Sequence, residues 1–231
     1  MMRLDKMLAN MGYGSRKEVK EYIRKGYVLV NGEIVTNDDF KIDEVNDEVV
    51  IADNKVEYSD KIYIMLNKPD GYVSATFDNN DPTVIDLVSE YSYKNIFPVG
   101  RLDKDTHGLL LITNDGVLAH NLLSPKKHVL KKYYLKYDGK ITANNIEEFK
   151  KGIDLGDFIT KPAELIDLGN NEAYVIISEG KFHQVKRMME HINCNVTYLK
   201  RIEFGPLKLD DNLEEKEYRL LSKEEIEMLL S

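Results

Sequence analysis

The dipeptide Asn31-Gly32, set between Tyr27–Val30 and Glu33–Val35, leaves the chain around it little choice. A type I′ turn needs positive φ at both central residues, and Asn-Gly between two apolar runs is the strongest short-range signal for a hairpin closed by that turn. What precedes the hairpin reads as helix. Leu4, Met7, Leu8 and Met11 repeat at i, i+3, i+4 and i+7, an amphipathic stripe that Gly12 and Gly14 end. Ser15 with Glu18 is a capping box, opening a second helix through Val19, Tyr22 and Ile23 that closes at Gly26. Arg16, Lys17, Lys20 and Arg24 fall along its outer side. Two short helices feeding a hairpin define a first domain over residues 1–51.

Residues 52–61 are polar and non-periodic and read as a linker. From Ile62 strands and helices alternate to residue 231. Ile62–Leu66 is a strand ended by Asn67-Lys-Pro-Asp-Gly71. Leu109–Thr113 is an apolar strand, followed by Asn114-Asp-Gly116 and a helical stretch to Leu123. Tyr133–Tyr137 is a strand, Asn144–Lys151 a helix and Ala173–Ser178 a strand. His183–Ile192 is a helix with Val185, Met188, Met189 and Ile192 on its apolar stripe.

The formal net charge of −8, from 32 Lys+Arg against 40 Asp+Glu, argues against an anionic partner only if the charge is evenly spread. It is not. Arg3–Asn31 carries seven basic and three acidic residues, Lys126–Lys136 five lysines and no acid, and Gly180–Arg201 five basic residues against Glu190. Segregated basic faces suit phosphates; a single such run is more often a solvated face, but three separate runs fit that reading less well. No run approaches the roughly 20 apolar residues that span a bilayer. With one cysteine, Cys194, the chain reads as a cytoplasmic protein without disulfides.

Common site signatures are missing: no phosphate-binding glycine loop, no HExxH, no paired CxxC, and no compact spacing among His107, His120, His128, His183 and His191. Cys194 reads as a buried, inert thiol. What remains is Val99–Gly116, VGRLDKDTHGLLLITNDG. Asp103 stands at a turn between apolar elements, with Gly100 and Gly108 on either side. A carboxylate where glycines admit a substrate to the backbone can serve as base or nucleophile, and equally as a turn residue capping an amide. Asp105 is a weaker candidate of the same kind.

GRLDKDTHGLLLITNDG resembles the signature of the RsuA/RluB family of ribosomal RNA pseudouridine synthases. The resemblance continues, in order, through MLNKPDGYVSAT, SPKKHVLKKYYL, TKPA and SEGKFHQVKRMMEHI. The N-terminal RLDKMLANMGYGSRKEVKEYIRKGYVLVNGEIV resembles the small RNA-binding domain of S4 type. The HQVK form and the TKPA segment are closer to members acting on the small subunit than to large-subunit relatives. His107 departs from the small or hydroxyl residue frequent at that position.

The resemblance implies an α+β chain: the αα-β RNA-binding domain, then a catalytic domain with a mixed, largely antiparallel sheet flanked by helices. It implies isomerisation of one uridine in ribosomal RNA, most closely 16S, without a cofactor. Asp103 would be the essential carboxylate, Lys186 the cation beside it, and Tyr134 the aromatic that stacks on uracil. Arg101 would fill the stack left by the flipped base, a role suited to a planar guanidinium. Arg3, Arg16, Lys17, Lys20, Arg24 and Arg187 would meet RNA phosphates. The expected partner is ribosomal RNA within a small-subunit assembly intermediate, bound by a monomer with no membrane attachment. Alternatives are a large-subunit synthase, an RNA-binding protein without catalysis, and a hydrolase of glycosidic bonds.

Overall fold

The computed structural model describes residues 1–11, 13–44, 46–56, 61–124 and 127–231. Gly12, expected to end the first helix, residues 57–60 of the expected linker, and Pro125 and Lys126 of the lysine-rich stretch lie outside them. The chain divides into two units, Met1–Ile62 with Glu90–Asn95, and Tyr63–Ser89 with Ile96–Ser231.

The first unit runs β1 (Met2–Arg3), α1 (Leu4–Asn10), α2 (Arg16–Arg24), β2 (Val28–Val30), β3 (Glu33–Ile34), β4 (Lys41–Ile42), β5 (Val49–Ile51) and β6 (Asn54–Val56). The Ser15–Glu18 capping box is formed in both directions. Asn31 and Gly32 take φ of 52° and 83°, as a type I′ turn demands, and β2 pairs with β3 in antiparallel register. The sheet order is β3-β2-β5-β6. Leu4, Met7, Leu8, Val19, Ile23 and Val28 are buried in one cluster with the apolar faces of these strands. The linker expectation for 52–61 needs correcting at its start. Ala52 and Asp53, at φ 47° and 65°, turn the chain back so that Asn54–Val56 pairs with Val49–Ile51. Only Val56 of that strand is buried, so its sequence shows no apolar alternation to read.

The second unit contains β7 (Tyr63–Lys68), β8 (Phe97–Pro98), β9 (His107–Thr113), α3 (Gly116–Leu123), β10 (Lys131–Asp138), α4 (Ala143–Lys151), β11 (Glu164–Gly169), β12 (Glu172–Ile177), α5 (Gln184–His191), β13 (Asn195–Phe204), β14 (Leu207–Lys208), β15 (Tyr218–Leu220) and α6 (Lys223–Leu230). Its sheet runs β11-β12-β10-β13-β9-β7-β15, with β14 on β13 and β8 on β9. Every pairing between these strands is antiparallel except β13 with β9, where Lys200 faces His107 and Arg201 faces Gly108. The α+β class with a mixed, largely antiparallel sheet is as the motifs implied.

The parallel seam explains Gly108. At φ 98° a Cβ there would lie 2.3 Å from the Arg201 carbonyl oxygen, so only glycine lets the two strands meet. β9 is buried from Gly108 to Thr113; Leu109 and Leu111 pack with Leu118, Ala119 and Leu122 of α3 and Leu229 of α6. Along β10, Tyr133, Leu135 and Tyr137 are buried while Lys132, Tyr134 and Lys136 point to the other face. Val185, Met188 and Met189 are the buried stripe of α5, which packs against β13. No described helix is long and apolar enough to cross a membrane.

Candidate active site

The loop entering β9 carries Asp103 and is tied down on both sides of it. Ser74 Oγ donates to the Leu102 carbonyl at 2.9 Å, and the Leu102 N–H donates back to Ser74 Oγ at 3.0 Å. Beyond Asp103 the clamp is Lys68. Its ammonium donates to the carbonyls of Pro69, Lys104 and Thr106 at 2.9, 2.9 and 2.8 Å. Lys68 is the last residue of β7 and is fully buried. Burial pulls its pKa down to about 8, against the attraction of Asp70, Asp105 and Asp103. The Thr106 N–H closes the turn on the Asp103 carbonyl at 3.0 Å.

The Asp103 side chain takes no part in these tethers. Among the described residues its carboxylate meets two basic side chains at the start of α5, an ammonium and an imidazole. Lys186 Nζ is 3.5 Å from Oδ2 and His183 Nε2 is 3.8 Å from Oδ1. A turn aspartate that caps an amide would be used up locally; this one, with 29% of its side chain exposed, is open to a substrate. Lys186 also donates to Asp105 Oδ1 at 2.5 Å, so one ammonium bridges two carboxylates and lies nearer the second. Burial pushes the Asp105 carboxyl up, but the hydrogen bond and charge of Lys186 outweigh it and hold the group below its usual range. His183 precedes α5 in the left-handed region, φ 50° and ψ 28°. Lys186 can reach the loop because Val185 and Met189 are buried beneath its helix and leave its stem along the edge.

Tyr134 is elsewhere. It projects from the face of β10 opposite to Tyr133, and its rings of contact are Tyr174 at 6.1 Å and Tyr198 at 6.2 Å, both edge-on. Burial and the adjacent Glu172 push its pKa up to about 12. The three tyrosines line a groove of about 420 Å³ with Lys200, Ile202, Asp210 and Asp211. Tyr133 instead points inward and pairs with Arg201 across β13. Arg201 is buried; Nε donates to the Leu109 carbonyl at 2.9 Å, and Nη2 has no partner among the described residues. Burial lowers its pKa against the steadying effect of Tyr133. The doublet Tyr133-Tyr134 is thus split between the two faces of the sheet, and no ring contact, hydrogen bond or ion pair joins Tyr134 to Asp103 among the described residues.

Arg101 is exposed on the Asp103 loop, two residues before the carboxylate. Arg187 turns away from it: Nη1 donates to Asp157 Oδ2 at 3.1 Å and Nη2 to the Leu155 carbonyl at 3.0 Å. His107 faces Tyr198, its ring 4.7 Å away, and its Nδ1 is 2.8 Å from Glu215 Oε1. Cys194 is buried, which raises its thiol pKa.

In the first unit, most of the basic residues expected to meet phosphates already have carboxylate partners. Arg3 donates twice to Asp5 at 3.0 Å and also pairs with Asp39. Arg16 reaches Asp5 at 3.3 Å, Lys20 lies 3.8 Å from both Asp5 and Asp38, and Arg24 donates to Asp38 at 2.7 Å. Lys17 is exposed with no partner among the described residues. The local charge excess is therefore smaller than the Arg3–Asn31 window suggests, because Asp38 and Asp39 fall just beyond it.

Two residues at the site carry little sequence signal. Lys68 stands in a run typical of a turn, yet it lies two positions from Leu66 and four from Ile64, the spacing that keeps it on their face. His183, at a helix start, has no local pattern that marks it.

Residues 62–191 match the RNA pseudouridylate synthase family and residues 2–49 the S4 domain. An uncharacterised RNA pseudouridine synthase of Bacillus subtilis is 45% identical over 234 residues, covering 99% of this chain and 98% of that one. The ribosomal small subunit pseudouridine synthase A of Escherichia coli K12 is 38% identical over 227 residues, covering 97% and 98%. A crystal structure of a pseudouridylate synthase superposes with a TM-score of 0.70 at 36% identity, covering 99% of this chain and 100% of that one.

Proposed function

Because this chain belongs to the RNA pseudouridylate synthase family, we propose that it converts one uridine of ribosomal RNA, in the small subunit, to pseudouridine, with Asp103 as the reacting carboxylate. The observation that supports this reading most is a tethered, half-open Asp103 with Lys186 3.5 Å away, inside the matched segment.

The reaction breaks the N1–C1′ bond, turns the uracil, and forms a C5–C1′ bond; the hydrogen at C5 leaves to water and N1 gains a proton. Atoms balance without an external group. Asp103 acts in its ionised form, either by adding to the sugar carbon or by taking a sugar proton. Lys186 favours that form by its charge, offsetting the desolvation that substrate binding imposes. Lys68 and Ser74 hold the loop so that the carboxylate need not be ordered at the moment of reaction, the preorganisation that makes a positioned group effective.

A uridine in folded RNA must leave its stack to reach Asp103. Arg101 is exposed beside the carboxylate and supplies a planar group for the vacated position. Lys17, with the outer edges of Arg3, Arg16, Lys20 and Arg24, offers phosphate contacts that orient without reading sequence. Tyr133, rather than Tyr134, is the aromatic on the buried face of β10, against Arg201, and takes the role of packing against the base. Site choice comes from the shape of ribosomal RNA in an assembly intermediate, engaged by a monomer.

The test is nucleotide-resolution pseudouridine mapping of ribosomal RNA with and without the gene. One 16S position is expected to lose its pseudouridine and to regain it with the wild-type gene but not with Asp103→Asn. Unchanged maps would overturn the reading; a lost position in the large subunit would overturn the target.

A further inference from the structure

Phe182 is 76% exposed, at the mouth of α5. An apolar ring left in water beside a reactive carboxylate is a feature that folding does not require. The ring lies flat on His183, centroids 3.8 Å apart and planes 16° from parallel. His183 in turn is held in left-handed backbone, where histidine is uncommon and which costs conformational energy, and its Nε2 is 3.8 Å from Asp103 Oδ1. One face of Phe182 is therefore covered, the other is open, and the pair is fixed one side chain away from Asp103.

We propose that Phe182, backed by His183, is a stacking platform for a nucleobase of the RNA adjoining the target uridine. The inference rests on the functional reading above and adds a binding residue to it. Flipping one nucleotide bares a face of each neighbour, and those faces need partners within a few ångströms of the reacting carbon. Arg101 approaches from the loop that carries Asp103; Phe182 approaches from the α5 side, so two different neighbours can be covered. A phenyl ring accepts any base, because every base presents a π-face, so the platform adds affinity without reading sequence. His183 preorganises it: the ring is stacked before RNA arrives, and less freedom is lost on binding.

The experiment compares wild type, Phe182→Ala and Phe182→Tyr on a transcript of 16S ribosomal RNA labelled with tritium at uridine C5. Filter binding gives affinity and tritium release gives rate. Phe182→Ala is expected to weaken binding about 5- to 150-fold, the range for losing one stacked base. It should raise the half-saturating RNA concentration by more than it lowers the saturating rate. Phe182→Tyr should restore affinity to within about twofold, since the ring is retained. An exposed side chain leaves the melting temperature unchanged, so misfolding does not confuse the result. Undiminished affinity of Phe182→Ala, or a tyrosine variant as weak as alanine, overturns the platform, and the first result together with binding to a protein partner through Phe182 would reassign the patch. If wild type releases no tritium, the functional reading fails instead, and filter binding of the two variants still decides this one.

Discussion

Two aspartates, one in each unit, collect cations around themselves and end in opposite states. Asp5 in α1 is completely buried, takes two hydrogen bonds from Arg3, and has Arg16 and Lys20 within 3.8 Å. Burial pushes its carboxyl up, but Arg3 and Arg16 prevail and leave it below its ordinary value of 3.8. Asp103 keeps 29% of its side chain exposed, with one ammonium at 3.5 Å and one imidazole at 3.8 Å. A carboxylate saturated by close donors is a fixture of the fold; one attended at longer range and open on one side has lone pairs left for a substrate. Degree of coordination, more than the mere presence of cations, separates the two.

The largest expected effect breaks the comparison at Asp103. Asp103→Asn should cut the single-turnover rate at saturating RNA by about 10⁴-fold or more, the order seen on losing a reacting group, without moving the melting temperature. Asp5→Asn should leave that rate within a few-fold. Kinetics and thermal unfolding on both variants check this. If Asp5→Asn abolishes turnover of bound RNA, the distinction is wrong.

Lys186→Met comes next, with a rate loss of about 10²–10³-fold from removing a charge that favours the ionised aspartate. A Lys186→Met rate within a few-fold of wild type would argue against this role.

Lys68→Met should unfold more easily by about 2–4 kcal/mol, since three carbonyls lose their shared donor. The pH dependence gives a sharper test. Lys68 titrates near 8 when folded against 10.5 ordinarily, so between those values the unfolded chain binds more protons and stability rises with pH. The contribution approaches about 3 kcal/mol as an upper figure. Denaturant unfolding from pH 7 to 10.5 should show wild type gaining on Lys68→Met, with Lys131, lowered in the same direction, common to both. A constant difference would contradict the assignment.

Asp5→Asn should lower the stability of the first unit by about 1–3 kcal/mol at neutral pH. Because the folded carboxyl lies below 3.8, the stabilisation is present above that pH and fades as pH falls through the lower folded value. Acid titration of the variant should therefore lack a wild-type loss that begins near pH 4. The smallest effect concerns salt. Lys17→Gln should reduce the slope of log affinity against log salt by about one, whereas Arg24→Gln, whose partner is Asp38, should change it less. Equal slopes would mean that RNA displaces Asp38.

Local chemistry made much of this legible. Asn31-Gly32, the Ser15–Glu18 box and the stripe of α1 each specify backbone within a few residues, and each is formed as written. Asp103 and Lys186 were paired through the motifs, and they are close. What failed depends on faces and on distant partners. The run Lys131-Lys132-Tyr133-Tyr134 gives no hint which tyrosine faces inward, because two adjacent tyrosines satisfy either register and a one-residue shift exchanges them. β13, ten residues long, went unread because its exposed and half-buried positions mix polar and apolar side chains. The carboxylate of Asp38 meets Lys20 and Arg24 of α2 from beyond the hairpin, and Asp39 meets Arg3, which no window on the basic run can reveal. Lys68 hides as a turn residue until its three carbonyls, two of them from the Asp103 loop, are in place.

The most direct measurement of the central claim uses the two carboxylates that share Lys186. Tritium release from C5-labelled 16S transcript should vanish in Asp103→Asn and persist within about tenfold in Asp105→Asn, even though Asp105 lies nearer the lysine at 2.5 Å. Release that survives at Asp103→Asn and disappears at Asp105→Asn would contradict the account.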